Sequence, residues 1–344
     1  MNQESAAPDS RRNTLIAWLQ SEARSHGLLP ETLRPASSDA SFRRYFRLDT
    51  ERGGTFIAMD APPDLEDSRP FVKVARLFGL AGVTTPRIVA ADLDRGLLLL
   101  SDLGQTTYLQ ALDAGANAQS MYLDALQALV RIQSATRANA LPGYDRARLL
   151  GEVRLFPDWY IAQHLQCKLG DRDREVLERV FQTLVACAVG QPALFVHRDY
   201  HSRNLMQLAC GNPGVLDFQD AVLGPAVYDL VSLLRDAYIE WPEDQQIEWA
   251  VRYWELARAA GLPVPADFAD LWRDMEWIGL QRSLKVLGIF ARLYHRDGKD
   301  RYLTDLPRVM QHTRRVVERY ACFDELRGLL DRLEQRPARA DTPG

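Results

Sequence analysis

The chain has 344 residues, of which 47% are hydrophobic and 26% charged, and its formal net charge is −4 at pH 7. This composition is typical of a soluble globular protein that is long enough for two lobes, each with its own core. It shows no basic excess that would favour nucleic acid as a partner. The polar N-terminus lacks the apolar core of a signal peptide, and the most apolar run is too short to span a bilayer. We therefore expect a cytoplasmic protein without a membrane partner.

The cysteines give no sign of a metal centre or of a disulfide framework. Cys167, Cys187, Cys210 and Cys322 are scattered, and no two of them have the CxxC spacing. This arrangement predicts free thiols in a reducing compartment.

The first hundred residues predict a β-rich lobe that follows an initial helix. The helical pattern starts at Thr14 and stops at Gly27. Residues 42–49 and 55–60 alternate in polarity on either side of an ERGG turn, which favours a β-hairpin. A helix is then predicted up to about Gly82, followed by two short strands around a turn at residues 94–96.

From about Thr106 onward, the pattern is mostly helical. Long amphipathic stretches include residues 268–298 and 306–335. We therefore predict an α+β protein with residues 1–103 as the first lobe and residues 104–336 as a larger helical lobe. Residues 337–344 are expected to be a disordered tail. A cleft between two lobes is a usual place for a small-ligand site.

Two polar motifs carry the chemistry. HRDYHSRN places Asp199 five residues before Asn204, and VLDF places Asp217 at the end of a short apolar run. In phosphoryl transfer to a hydroxyl, a carboxylate at the position of Asp199 accepts the substrate proton. Asn204 and Asp217 supply the oxygen ligands that Mg²⁺ prefers. His197 is expected to brace the loop, because the role of base is already filled, and His201 faces either substrate or solvent.

These motifs resemble the aminoglycoside phosphotransferase/choline kinase branch of the protein-kinase-like fold. Within it, SSDASFRRYFR, MDAPP, LLLLSDLG, LFPDWY, VHRDYHSRNLM and LDFQDAVLGPAVYDLVSLLRD are most similar to the bacterial kinases of N-acetylmuramate and N-acetylglucosamine. The resemblance covers residues 37–236. It implies a bilobal fold with a small antiparallel N-lobe containing one helix, and a helical C-lobe. It also implies Mg²⁺- and ATP-dependent phosphorylation of the anomeric hydroxyl of these amino sugars in peptidoglycan recycling, by an enzyme that we expect to be monomeric.

One position departs from the protein-kinase pattern. The strand that carries the phosphate-binding lysine in protein kinases reads FIAMD here, and no lysine precedes Lys73. Another cation must therefore hold the phosphates. Arg43 or Arg44 is the candidate, with Glu66 or Lys73 near the following helix as neighbours. The loop before these arginines uses Ser38 and Ser41, where the family has glycines, to contact phosphate oxygens.

The resemblance places the adenine contacts, and the chemistry of the side chains predicts the sugar contacts. Ser101 and Leu103 would hydrogen-bond adenine through their backbone groups. The sugar would meet polar and aromatic side chains of the second lobe, including a lysine for the lactyl carboxylate of muramate. These residues are Asp158, Trp159, His201, Asp220 and Lys285.

Two other functions fit the same pattern. A kinase of this fold could act on an aminoglycoside, choline or homoserine. The missing strand lysine could also mark a nucleotide-binding scaffold without activity, although the presence of Asp199, Asn204 and Asp217 argues against this.

Overall fold

The structure is a computed structural model, and it describes residues 10–38 and 42–335, without the side chains of residues 37 and 38. The chain forms two compact units. The first runs to Thr106 and also includes Met206–Asp220, and the second comprises Thr107–Leu205 and the chain from Ala221 onward. The sequence prediction had placed residues 206–220 in the second lobe. Ser41 and the predicted tail lie outside the described residues.

The helices and strands follow in chain order. They are α1 (Ser10–His26), β1 (Leu28–Ser38), β2 (Arg44–Thr50), β3 (Thr55–Asp60), α2 (Arg69–Leu80), β4 (Ile88–Asp92), β5 (Leu97–Ser101), α3 (Tyr108–Asp113), α4 (Ala118–Ser134), α5 (Arg146–Val153), α6 (Asp171–Gly190), β6 (Ala193–Val196), β7 (Leu205–Met206), β8 (Gly214–Val215), β9 (Val222–Pro225), α7 (Tyr228–Leu234), α8 (Glu243–Ala259), α9 (Phe268–Asp297), α10 (Leu306–Arg319) and α11 (Asp324–Glu334). A π-helical stretch, Phe156–His164, precedes α6.

The first unit is built on a five-stranded antiparallel sheet in the order β1-β2-β3-β5-β4. Leu15 and Leu19 of α1 pack on the sheet with Leu48 and Leu97. Among the described residues of this unit, α1 and α2 are the helices; the sequence pattern predicted both, whereas the family resemblance implied one helix in the lobe. The prediction of an α+β chain, with an antiparallel sheet first and helices after it, is confirmed.

Strand β1 is one of the elements that the sequence pattern did not reveal. It contains Pro30 and Pro35, and its pairing with β2 shifts register twice. Proline removes a ladder hydrogen bond and is tolerated at the edge of a sheet, which is where β1 lies. An irregular edge strand of this kind lacks the polar–apolar alternation that identifies a strand in sequence.

Backbone hydrogen bonds and ring contacts anchor residues 206–220 in the first unit. The Val215 N–H donates to the carbonyl of Thr84 at 2.8 Å. The Phe218 ring packs against Phe71 and Phe78 of α2, with ring centroids 4.8 and 6.0 Å apart. Asp217 is therefore held beside α2.

The second unit is organised around α9, a helix of 30 residues. Its apolar side chains join a core with those of α6, α10 and α11. The helix lies so close to the start of the π-helical stretch that a Cβ at Gly288 would be 2.3 Å from the carbonyl carbon of Leu155. Along the described ranges, no helix combines the length and the apolar character needed to cross a membrane.

Candidate active site

The loop that follows β6 carries the predicted base, and α7 fixes its backbone. Asp229 accepts the N–H groups of His197 at 2.6 Å and Arg198 at 3.0 Å. Burial raises the pKa of Asp229 to about 7, although these two hydrogen bonds offset part of that effect. Arg198 has a φ of +80°, a left-handed conformation that is costly for a residue with a side chain. Strain of this kind persists only where neighbouring contacts hold it, and here Asp229 supplies them.

Asn204 and His197 hold the same loop from inside. The amide nitrogen of Asn204 donates to the carbonyl of Asp199 at 3.0 Å, so its amide oxygen is the atom that can act as a metal ligand. His197 is fully buried, and its Nδ1 accepts the N–H of Asp199 at 3.3 Å. This position agrees with a bracing role for His197.

The carboxylate of Asp199 is accessible and surrounded by positive charge. Its side chain is 41% exposed, and its Oδ1 lies 3.8 Å from Nη2 of Arg282. Burial of its surroundings alone would raise the pKa of Asp199, but the charges of Lys285 and Arg282 outweigh it and hold the pKa well below its ordinary value. Asp199 is therefore an anion at neutral pH, and a weak base that is ready to accept a hydrogen bond.

Lys285 belongs to a buried network next to Asp199. Its ammonium lies 3.0 Å from Oε2 of Glu152 and 3.2 Å from the hydroxyl of Tyr228. Glu152 also pairs with Arg198 at 2.5 Å. Burial would raise the pKa of Glu152, but Lys285 and Arg198 outweigh it, and the pKa is lowered. Lys285, expected to bind a substrate carboxylate, is thus already neutralised by a carboxylate of the protein.

The other predicted sugar contacts are dispersed. Asp158 is exposed and Trp159 half-buried on the π-helical stretch, and neither side chain forms a hydrogen bond, ion pair or ring contact with another described residue. His201 packs against Tyr238, and its buried Nδ1 has no hydrogen-bond partner in the described part of the chain. Burial lowers the pKa of His201, which leaves a neutral ring at pH 7. Asp220 is exposed at the end of residues 206–220.

In the first unit, the two candidate arginines have different partners. Arg43 is 8% exposed and pairs with Glu66 at 3.0 Å. Burial would lower the pKa of Arg43, but its neighbours, Glu66 and Asp217 among them, outweigh it and the pKa is raised. Arg44 instead pairs with the buried carboxylate of Asp60 at 2.6 Å. The structure thus brings Arg43, Glu66 and Asp217 together, and it directs Arg44 to Asp60.

Asp217 has a constrained backbone as well. Its φ is +60°, and its Oδ1 accepts a hydrogen bond from Nε2 of Gln219 at 2.7 Å. Within the described ranges, no three His, Cys, Asp or Glu residues group in a way that could hold a metal ion. Magnesium usually binds through one or two carboxylates together with substrate phosphates, and the carboxylate of Asp217 and the amide oxygen of Asn204 are each oxygen donors of the kind that this ion prefers.

The segment after β5 offers backbone groups. Ser101 already uses its N–H, which donates to the carbonyl of Arg87 at 2.8 Å, and its hydroxyl, which accepts the Arg87 N–H at 2.8 Å. Leu103 has no hydrogen bond from its N–H or to its carbonyl within residues 10–38 and 42–335. Ser38 lies at the end of β1, and only its backbone is described.

Sequence reasoning missed Glu152 and Arg282. Glu152 lies on the amphipathic helix α5, where its pattern is that of an exposed charge. Arg282 and Lys285 are three residues apart and therefore share a face of α9. The sequence did carry a signal for Arg282. Two cations lie on one face of a helix that is otherwise strongly apolar, and such a face is normally buried.

Comparisons with known proteins show the family of the chain. A family described as "Phosphotransferase enzyme family" matches residues 32–268. The chain is 49% identical over 336 residues to an N-acetylmuramate/N-acetylglucosamine kinase of Pseudomonas aeruginosa, covering 95% of this chain and 98% of that protein. It is 47% identical over 326 residues to the protein of the same name from Neisseria meningitidis, covering 93% and 95%.

A solved structure of amicoumacin kinase with AMP-PNP and Ca²⁺ has a TM-score of 0.61 at 14% identity, covering 92% of this chain and 98% of that chain. This likeness supports the fold. The family match spans well over half of the sequence and includes the loop of Asp199, the anchored Asp217 and the Arg43–Glu66 pair. The chain therefore belongs to the phosphotransferase enzyme family, as its motifs predicted.

Proposed function

We propose that this chain is an ATP-dependent sugar kinase that phosphorylates the anomeric C1 hydroxyl of N-acetylmuramate and N-acetylglucosamine. The observation that carries the proposal is the similarity to relatives with this substrate name over 93–95% of the chain. Such coverage includes both units and therefore the residues expected to bind nucleotide and sugar. The cytoplasmic location and the monomeric state expected from the sequence stay predictions.

Asp199 would act on the acceptor hydroxyl. Its lowered pKa favours an anion that accepts a hydrogen bond and orients the hydroxyl. The anomeric hydroxyl is more acidic than an ordinary alcohol, so a weak base is sufficient. As the sugar oxygen bonds to the γ-phosphorus and the bond to the leaving ADP breaks, the hydroxyl proton passes to Asp199.

The phosphates would be held from the first unit. Arg43, oriented by Glu66, is the proposed replacement for the strand lysine, because a buried guanidinium can bind phosphate oxygens bidentately. Asn204 and Asp217 would hold Mg²⁺, which neutralises charge on the phosphate oxygens when it is bound. The backbone N–H and carbonyl of Leu103 would meet the adenine base.

The sugar would be recognised in the second unit. Trp159 offers an aromatic face for the pyranose ring, while Asp158 and His201 offer polar groups for its hydroxyl and acetamido groups. Asp220, which belongs to the first unit, would add a further carboxylate. Lys285 is already paired with Glu152. We therefore expect Lys285 to stabilise the anionic form of Asp199 rather than to bind the lactyl carboxylate.

A substrate panel tests this function. The purified chain, ATP and Mg²⁺ should release ADP with either amino sugar, and NMR of the product should place the phosphate on C1. Asp199→Asn should lower kcat by about 10²–10⁴-fold and leave ATP binding intact, since the change affects the chemical step. Turnover of only an aminoglycoside, choline or homoserine would contradict the proposed substrate. ATP binding without turnover of any acceptor would favour a scaffold.

A further inference from the structure

A buried arginine donates hydrogen bonds to the residues on both sides of Leu103. Arg47 lies on β2, and its Nε and Nη2 donate to the carboxylate of Asp102 at 2.5 and 3.0 Å. The same Nη2 donates to the carbonyl of Gly104 at 2.8 Å. One planar guanidinium therefore fixes the residue before Leu103 and the residue after it, a geometry that a lysine ammonium cannot reproduce.

The carboxylate of Asp102 accepts hydrogen bonds from these donors and from others. Its carboxylate also accepts the hydroxyl of Thr55 at 2.6 Å and the N–H of Gly104 at 2.9 Å. Its side chain is 6% exposed, and that of Arg47 is 11% exposed. Burial would raise the pKa of Asp102, but the hydrogen bonds from Arg47 and Thr55 outweigh it and lower the pKa. The ion pair is therefore intact at neutral pH.

Arg47, Asp102 and Gly104 form a hydrogen-bonded cluster, which we call the clamp. The backbone groups of Leu103 take no part in it. In the part of the chain that the structure describes, the N–H and carbonyl of Leu103 have no hydrogen-bond partner. Leu103 is only half-exposed, and backbone groups that are partly shielded from water normally find partners. A donor and an acceptor on one residue match the edge of a planar base, which offers one of each.

We propose that Arg47 is a positioning residue for the nucleotide base: it fixes the segment from Asp102 to Gly104 so that Leu103 presents its N–H and carbonyl to that base. The inference rests on the proposed function, because it takes ATP as the phosphoryl donor. Gly104 has a φ of +90° and is intrinsically flexible, so the segment needs an external constraint to stay in one conformation. Preorganisation of this kind increases affinity because less conformational entropy is lost on binding.

Arg47→Lys tests the clamp, since it retains the positive charge but not the fork of donors. We expect the Kd for ATP, measured by calorimetry without sugar, to rise about tenfold, and the KM for ATP to rise by a similar factor. The KM for the amino sugar and kcat should stay near their wild-type values. The ratio of the Kd for GTP to the Kd for ATP should also decrease. A more mobile Leu103 would discriminate less between the hydrogen-bonding edges of the two bases.

Two further variants provide a second test of the clamp and a control. Thr55→Val removes a single hydrogen bond to Asp102 and should raise the Kd for ATP by about threefold even if Arg47→Lys folds poorly. Arg34→Ala breaks another arginine–aspartate pair of the same sheet, the exposed pair Arg34–Asp49 at 2.7 Å, which joins β1 and β2. This matched control should bind ATP as the wild type does.

Failure of the clamp and failure of the proposed function would give different results. A folded Arg47→Lys or Thr55→Val chain with an unchanged Kd for ATP would overturn the proposal, as would an equal rise in KM for ATP and for the sugar. A wild-type chain that binds ATP but phosphorylates no amino sugar would contradict the proposed function alone, and the clamp could still be measured by ATP binding.

Discussion

Arg43 and Arg44 are adjacent in sequence and have opposite environments. Arg43 is buried against Glu66, within electrostatic reach of Asp217. Arg44 shares the carboxylate of Asp60 with Arg11 of α1, and Asp60 is fully buried. One arginine is therefore placed near the residues proposed for phosphate and metal, and the other joins α1 to the sheet.

This difference predicts different costs for the same substitution. Arg43→Met should lower kcat/KM for ATP by about 100-fold, because a preorganised donor to the phosphates is lost. Arg44→Met should leave catalysis within a few-fold but lower the free energy of unfolding by about 1–3 kcal/mol, since the buried carboxylate of Asp60 loses an ion-pair partner. Steady-state kinetics and urea denaturation of both variants measure the two effects. Equal losses of kcat/KM would contradict the assignment.

At the scale of elements, α9 and the π-helical stretch form one assembly. Gly288 permits the contact between them, since nothing larger than hydrogen fits against Leu155. The contact determines where Asp158 and Trp159 stand. It also sits on the helix that carries Arg282 and Lys285, the cations around Asp199.

Gly288→Ala should therefore destabilise the chain, although alanine is the better helix former. The added Cβ would lie 2.3 Å from a backbone atom, and we expect a loss of about 2–3 kcal/mol in the free energy of unfolding. Gly151→Ala on α5 is the matched control, because a Cβ there meets no atom within 4 Å. It should gain up to about 1 kcal/mol from helix propensity. Similar urea midpoints for both variants would contradict the close approach.

The sequence predicts some of these elements much better than others. The periodic pattern of residues 268–298 matches α9 closely, since a long helix with a glycine stop is a strong local signal. The stretch 306–335 is instead divided into α10 and α11 by a turn at Ala321–Phe323. Alternation over residues 42–49 places the adjacent Arg43 and Arg44 on opposite faces of the strand, but it does not tell which face looks into the cleft. That choice depends on where α2 packs, which no local pattern encodes.

Over the whole molecule, buried ionisable groups couple stability to pH. His312 of α10 is 4% exposed. Burial, together with the charges of Arg235 and Arg315, lowers its pKa to about 3. The unfolded chain binds a proton at this residue below about pH 6.5, while the folded chain does not. Stability therefore falls as the pH drops below that value, and this contribution stops near the folded pKa.

The slope of stability against pH tests this coupling. Between pH 6 and pH 5, His312→Phe should remove a dependence of about 1 kcal/mol per pH unit from the free energy of unfolding, as measured by urea denaturation. Gln311→Ala, an exposed and non-titrating neighbour on α10, should keep the wild-type slope. An unchanged slope in His312→Phe would show that the acid sensitivity arises elsewhere.

The Arg43–Glu66 pair also determines which reagents can mark this enzyme. Nucleotide analogues that acylate the strand lysine of protein kinases need a primary amine beside the phosphates. The chain has only four lysines, and the first, Lys73, is exposed on α2. The guanidinium of Arg43 stays protonated and is not a target for acylation. In a mixed extract, such reagents would therefore label protein kinases and leave Arg43, the residue proposed to hold the phosphates, unmarked.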